Sequence, residues 1–220
     1  MSHREIATDG YSVYNFSAAI KKNPLNLFGT FFARRSEIND LLTYLHESAM
    51  VSNPYSDAIL SSTLLHYEKI GLLNRCRSTL SRLRKFDEIT KIWRTMMCGA
   101  QIELRAGNFP VARELLRFLR RHVGWFGPLH VLSAGMESRY LGNYKEALRI
   151  LRRGATSVPR YGPIAINSIR VAERVDIESC DYDIITSRAI ISEVLSTVCK
   201  ELLWKALFEA AGVEVSKRSD

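Results

Sequence analysis

Apolar residues recur at steps of three and four along most of the chain, and glycines interrupt the runs at regular places. The clearest run, Ile92, Met96, Met97, Ala100 and Leu104, marks one face of a helix. It breaks at Gly107. Asn108 is placed to cap the next helix, and Pro110 fits its first turn, where a missing N–H leaves no partner unsatisfied. That helix carries Ala112, Leu115, Leu116 and Leu119 on one side and stops near Gly124. The pattern then restarts. Gly127-Pro128 opens a helix through Val131, Leu132, Met136 and Tyr140, Gly142-Asn143 breaks it, and Tyr144, Ala147, Leu148 and Leu151 line the returning helix.

These breaks keep a register. Gly107-Asn108-Phe109 returns as Gly142-Asn143-Tyr144, and Phe126-Gly127-Pro128 returns as Tyr161-Gly162-Pro163, both at an offset of 35 residues. A period in this range predicts an all-α fold, a right-handed α-solenoid of antiparallel helical hairpins. A third unit opens at Gly162-Pro163 with Ile166, Ile169 and Val171, and its partner helix is expected after Cys180-Asp181-Tyr182, a slip to about 38 residues. Upstream, Leu65 to Gly71 followed by Arg75-Cys76-Arg77 reads as a divergent copy. Downstream, Leu203 to Glu209 restarts a Trp-containing helix that has no partner before Asp220. The expected organisation is an N-terminal arm and leading helix over residues 1–54, then a repeat domain over 55–220 of about four repeats, the last incomplete.

The units resemble half-a-tetratricopeptide (HAT) repeats, relatives of tetratricopeptide repeats (TPR). Trp93, Glu103, Gly107-Asn108, Ala112-Arg113 and Pro128 follow the HAT order of helix A aromatic, late acidic residue, turn, Ala-Arg and closing proline. Glu137, Gly142-Asn143, Ala147 and Pro163 follow it again, with His130 or Val131 in place of the aromatic. Two good copies and two or three weaker ones cover about residues 60 to 215. TPR repeats proper share the small-residue and proline positions and stay open as an alternative. The resemblance implies a scaffold of the kind that serves splicing, cleavage and polyadenylation, ribosomal-RNA maturation or organellar transcript stabilisation.

Composition changes this picture little. Hydrophobic residues make up 46% and charged residues 25%, a globular balance. Cys76, Cys98, Cys180 and Cys199 have no CxxC-type spacing and are expected as reduced thiols packed like small hydrophobes. No apolar run reaches the length of a membrane-spanning helix. Met1 to Glu5 lacks the pattern of a secretory signal. From Gly10 to Ser36 there is no acidic residue beside Lys21, Lys22, Arg34 and Arg35, a composition shared by transit peptides and surface-docking arms. The expected location is intracellular, the nucleus first and a mitochondrion or plastid second.

Charge adds a candidate site. Net charge is +8, and the stretch from Arg105 to Arg160 alone holds eleven Lys and Arg against three Glu. Arg113, Arg117, Arg120 and Arg121 fall at intervals of four, three and one, and Lys145, Arg149, Arg152 and Arg153 repeat those intervals 32 residues later. On two adjacent B helices they form basic arcs that either hold a phosphate backbone or an acidic partner, or serve as solvated faces. Trp125, Phe126 and Tyr161 sit beside the turns, where they stack on bases or pack between hairpins; Trp93 and Trp204 are expected in the core.

Catalytic chemistry is not apparent. The five histidines are dispersed, no Gly-rich phosphate loop occurs, and Asp87-Glu88 and Asp181/Asp183 sit near helix starts, where they favour the dipole. No enzyme activity, metal or cofactor is expected. The reading is a non-enzymatic scaffold that binds RNA through the eight cations or, alternatively, a partner helix or acidic peptide with no RNA contact. Self-association is expected through the last helix, with Leu202, Leu203, Leu207 and Phe208 as its apolar surface.

Overall fold

Why the chain coils into hairpins is visible at its turns. The computed structural model describes residues 24–83, 88–180 and 183–218. Lys21, Lys22, Asp87, Asp181 and Tyr182, invoked above, lie outside them. Among the described residues there are ten helices and no strand. Helix α1, Pro24–Ser52, belongs to a unit that ends at Ser52 and exposes Ile38, Leu41, Tyr44 and Leu45. The second unit, residues 53–220, holds four hairpins. They are α2 (Asp57–Lys69) with α3 (Leu73–Leu83), α4 (Ile89–Arg105) with α5 (Phe109–His122), α6 (Gly127–Arg139) with α7 (Tyr144–Ser157), and α8 (Gly162–Glu178) with α9 (Ile185–Thr197). Helix α10, Lys200–Arg218, closes the series.

Packing runs from neighbour to neighbour. Each helix pairs within its hairpin, the second helix of each hairpin touches the first of the next, and α2–α4, α6–α8 and α8–α10 stack. That is the α-solenoid architecture. Small residues set the spacing along one edge: a Cβ on Gly127 would stand 2.4 Å from the Tyr161 ring, and one on Gly162 would stand 2.1 Å from Leu202. The ring of Trp93, itself buried, lies 4.5 Å from that of Phe126 and 5.7 Å from that of Trp125. Phe126 and Tyr161 therefore pack between hairpins, while Trp125 stays largely exposed.

The first three hairpins turn on Gly71, Gly107 and Gly142, at φ of +81°, +76° and +63°. Glycine enters this left-handed region without steric cost. In the fourth hairpin Cys180 takes the same place at φ +53°, and its N–H donates to the Ile177 carbonyl as that of Gly107 donates to Leu104. Ile184, four residues on, is also left-handed at φ +46°. The slip in register falls in this turn, since α8 begins 35 residues after α6 but α9 begins 41 residues after α7. Replacing Cys180 by Gly removes a Cβ penalty of about 1–2 kcal/mol and adds unfolded-state entropy, so Cys180→Gly is expected to stabilise by about 1 kcal/mol in a urea melt.

Four expectations need correcting. Asn108 does not cap α5 with its side chain; its Nδ2 donates to Glu103 at 2.7 Å, whereas Asn143 Oδ1 does accept from the Glu146 N–H at 3.1 Å. The buried Glu103 carboxylate competes for the first asparagine and wins. Trp204 is not core but 64% exposed, because α10 turns Ala206 and Val213 inward instead. Leu202 is not outward surface; it fills the space left by Gly162. Of the four thiols only Cys76 and Cys98 are buried, and Cys180 and Cys199 lie exposed in turns. Burial pushes the Cys76 thiol up to about 11, which keeps it protonated and inert.

Candidate interaction surfaces

The acidic residues late in the A helices form a ladder across the hairpins. Glu103 on α4, 1% exposed, accepts a bidentate pair of hydrogen bonds from Arg77 of the preceding α3, at 2.8 and 3.1 Å. Glu137 on α6 accepts the same from Arg113 of α5, at 2.7 and 2.6 Å. One period later the two positions hold Leu148 and Ala172, both in the apolar core. Asp176 on α8, fully buried, turns to α9 instead, accepting from the Thr186 and Ser187 N–H groups at 3.1 and 2.7 Å. These carboxylates hold the repeats in register.

That ladder changes what the predicted basic arcs can do. Arg113 is tied to Glu137, Arg117 to Glu114, Arg149 to Glu146, and Arg152 more loosely to Glu193 at 3.6 Å. The hydrogen bonds they donate to Glu137 and Glu146 raise the pKa of Arg113 and Arg149, and the Arg149 guanidinium in turn holds the Glu146 carboxyl below its ordinary value. A uniformly basic stripe is therefore not what the fold builds, because glutamates are interleaved with the arginines. Arg120 of α5 lies close enough to Glu146 and Arg149 of α7 to feel both, and burial pushes its guanidinium pKa down. Arg117 and Arg121 face the other way, along a groove of about 390 Å³ between α4 and α5 beside Met96 and Phe118. Arg120, Arg121, Lys145 and Arg153 pair with no carboxylate among the described residues.

A second surface lies on the A helices. Leu104, Val131, Gly135, Tyr140, Asn167 and Val171 line a groove of about 320 Å³ that crosses from α4 to α8. No group of three or more His, Cys, Asp and Glu among the described residues is arranged to hold a metal ion, and no described helix is long and apolar enough to cross a membrane. Sequence reasoning missed Arg77 and Asp176 as interface residues. Arg77 carried a signal, since it precedes Arg113 by 36 residues.

Stacked antiparallel hairpins with small-residue seams and a turn glycine in the first three define a helical-repeat protein of the TPR/HAT type, a class that mediates protein interactions. The chain belongs to the PRP6 TPR-like domain family, whose model matches residues 34–219. It is similar to a TPR-containing protein of Dictyostelium discoideum, 33% identical over 161 residues, which is 73% of this chain and 12% of that protein. The chain thus spans about an eighth of the length of that relative. Among solved structures it is similar to a tetratricopeptide repeat protein from Parabacteroides merdae, with a TM-score of 0.43, 17% identity and coverage of 92% of this chain and 83% of the other. A thermophilic TPR protein from Thermus thermophilus aligns with a TM-score of 0.40 and 18% identity, covering 88% and 98% of the two chains.

Proposed function

We propose that this chain is a non-enzymatic adaptor of the RNA-processing machinery, working in the nucleus, that takes a protein partner on its A-helix groove and makes an electrostatic contact to RNA through cations of α5 and α7. Membership of the PRP6 TPR-like family, together with the HAT pattern whose arrays serve in splicing and transcript maturation, supports the process. The observation that carries the RNA contact is Arg120. It is half-buried and lacks a carboxylate of its own among the described residues. A phosphate oxygen arriving there relieves a desolvated cation, and Lys145 and Arg153 on α7 extend the field. Contacts of this kind position a backbone and read no bases.

Titration with single-stranded polyuridylate tests it. With three or four phosphates neutralised, affinity is expected to fall roughly 20- to 50-fold between about 50 and 200 mM salt, and Arg120→Gln with Arg153→Glu is expected to remove it. Absence of binding at the lower salt leaves the second reading, a protein scaffold with no RNA contact, which the glutamate-paired state of Arg113, Arg117, Arg149 and Arg152 favours.

Self-association through α10 belongs to the same proposal. Its outward face presents Trp204, Leu207, Phe208 and Val215, a stripe at steps of three, four and seven that the solenoid leaves uncovered. The mass in solution at tens of micromolar is expected to be dimeric and to revert to monomeric in Phe208→Ser; a strict monomer in the parent chain removes this part.

A further inference from the structure

The repeat leaves one junction open that its predecessor fills. On α6, the His130 imidazole lies against Gly154 of α7, so close that a Cβ on that glycine would stand 2.8 Å from the histidine Cβ and Cγ. Its Nε2 lies 2.9 Å from the Gly124 carbonyl oxygen in the turn before α6. Thirty-five residues later Ala165 stands in place of His130 and Pro159 in place of Gly124. With the ring gone, a cleft of about 400 Å³ opens between α7, α8, α9 and the start of α10. That volume lies within the range of ligand pockets, about 300–1,000 Å³.

The cleft has an apolar floor and a cationic rim. Ile164, Ile190, Val194 and Val198 line the floor. Arg152 and Arg160 stand at the rim, Arg160 occupying the repeat position that Trp125 holds one unit earlier. Arg160 is exposed and pairs with no carboxylate among the described residues, and Arg152 has the loosest ion pair of the α5–α7 arginines, 3.6 Å to a half-exposed Glu193. Arg117, one period before Arg152, is instead tied to Glu114 on its own helix. An occupant must therefore be apolar where it enters and anionic beside that point.

We propose that this cleft docks a protein partner that inserts one aliphatic or aromatic side chain between α8 and α9 and sets an adjacent carboxylate on Arg160 and Arg152. Burying the anchor removes apolar floor from water, and the carboxylate replaces the distant Glu193 with a short, charge-assisted contact. RNA fits less well, because a sugar-phosphate chain satisfies the rim but leaves the apolar floor empty. The proposal rests on the cleft with its rim residues Arg152 and Arg160, and not on Arg120.

The test pans a displayed library of random dodecapeptides on the whole chain and measures purified winners by fluorescence anisotropy. Two variants discriminate: Ala165→Leu, which refills the floor and is expected to keep or raise the melting temperature, and Arg160→Glu, an exposed change that leaves the fold intact. Enriched peptides are expected to share an apolar residue within two positions of Asp or Glu, to lose at least tenfold in affinity to each variant, and to bind Arg120→Gln unchanged. Failure of any peptide to enrich overturns the proposal, as does equal binding to both variants and the parent. Binding of polyuridylate that is lost in Arg160→Glu but unaffected by Ala165→Leu also overturns it, since the rim then serves RNA alone.

Discussion

Arg113→Ala is expected to destabilise the repeat unit by about 3 kcal/mol at neutral pH, measured as a fall in the urea midpoint with an unchanged slope. The reason is the partner left behind. Glu137 is 3% exposed, and Arg113 supplies both of its oxygens with a donor. Truncating the arginine strands a carboxylate with little access to water, which costs more than the pair itself contributes. Because Arg113 is itself partly exposed, the loss falls at the lower end of the range for broken buried pairs. Arg149→Ala, by contrast, removes an exposed i,i+3 pair with Glu146 and is expected to change stability by less than about 1 kcal/mol. The next repeat shows how the position can be built without charge, since Leu148 and Ala172 occupy the equivalent places in an apolar core. The double variant Arg113→Leu with Glu137→Ala is therefore expected to recover to within about 1 kcal/mol of the parent. If it proves as unstable as Arg113→Ala alone, the stranded carboxylate is not the cause.

Asp176→Ala is expected to cost about 2–3 kcal/mol, concentrated in α9 and α10. Helix α9 begins after Ile184, a left-handed residue whose side chain cannot cap the N–H groups of Thr186 and Ser187. Asp176 supplies the acceptor from α8, bonding the N–H groups of Thr186 and Ser187 and the Ser187 hydroxyl within a fully buried setting. A carboxylate there also faces the positive end of the α9 dipole. Removing it leaves buried donors unpaired and lets the last hairpin open. In a solenoid, where each unit leans only on its neighbours, amide exchange should quicken in α9 and α10 while α4 to α7 keep their protection. Asp176→Asn retains one acceptor oxygen and is expected to lose about half as much. Uniform loss of protection along the whole array would show that the cap is not local.

These two residues mark the division between what could be read early and what could not. Glu137 was legible as a pattern position, an acidic residue late in a helix A, but its dependence on Arg113 was not, and the same arginine read as part of a basic arc open to ligands. Asp176 carried no signal at all, because the N–H donors it accepts from lie ten and eleven residues away across a turn whose length departs from the period. Trp204 misled for a related reason. Its surroundings copied a Trp-containing helix start, yet burial of Trp93 depends on Phe126 and Trp125 arriving from the next turn, and no equivalent aromatic pair covers Trp204 among the described residues.

By itself, the amino-acid sequence determined the helices, their breaks at Gly71, Gly107 and Gly142, and the stacking of hairpins at a period of about 35 residues. These follow from local rules, three- and four-residue apolar spacing and backbone freedom at glycine, that act within a turn or two of chain. Only the tertiary structure decided which charges are spent inside the solenoid and which face outward. Ion pairing depends on residues 24 or 26 positions apart being brought within 3 Å, and an open cleft depends on a ring that one repeat has and the next lacks. Both are properties of neighbouring surfaces, which periodicity places side by side but does not fill.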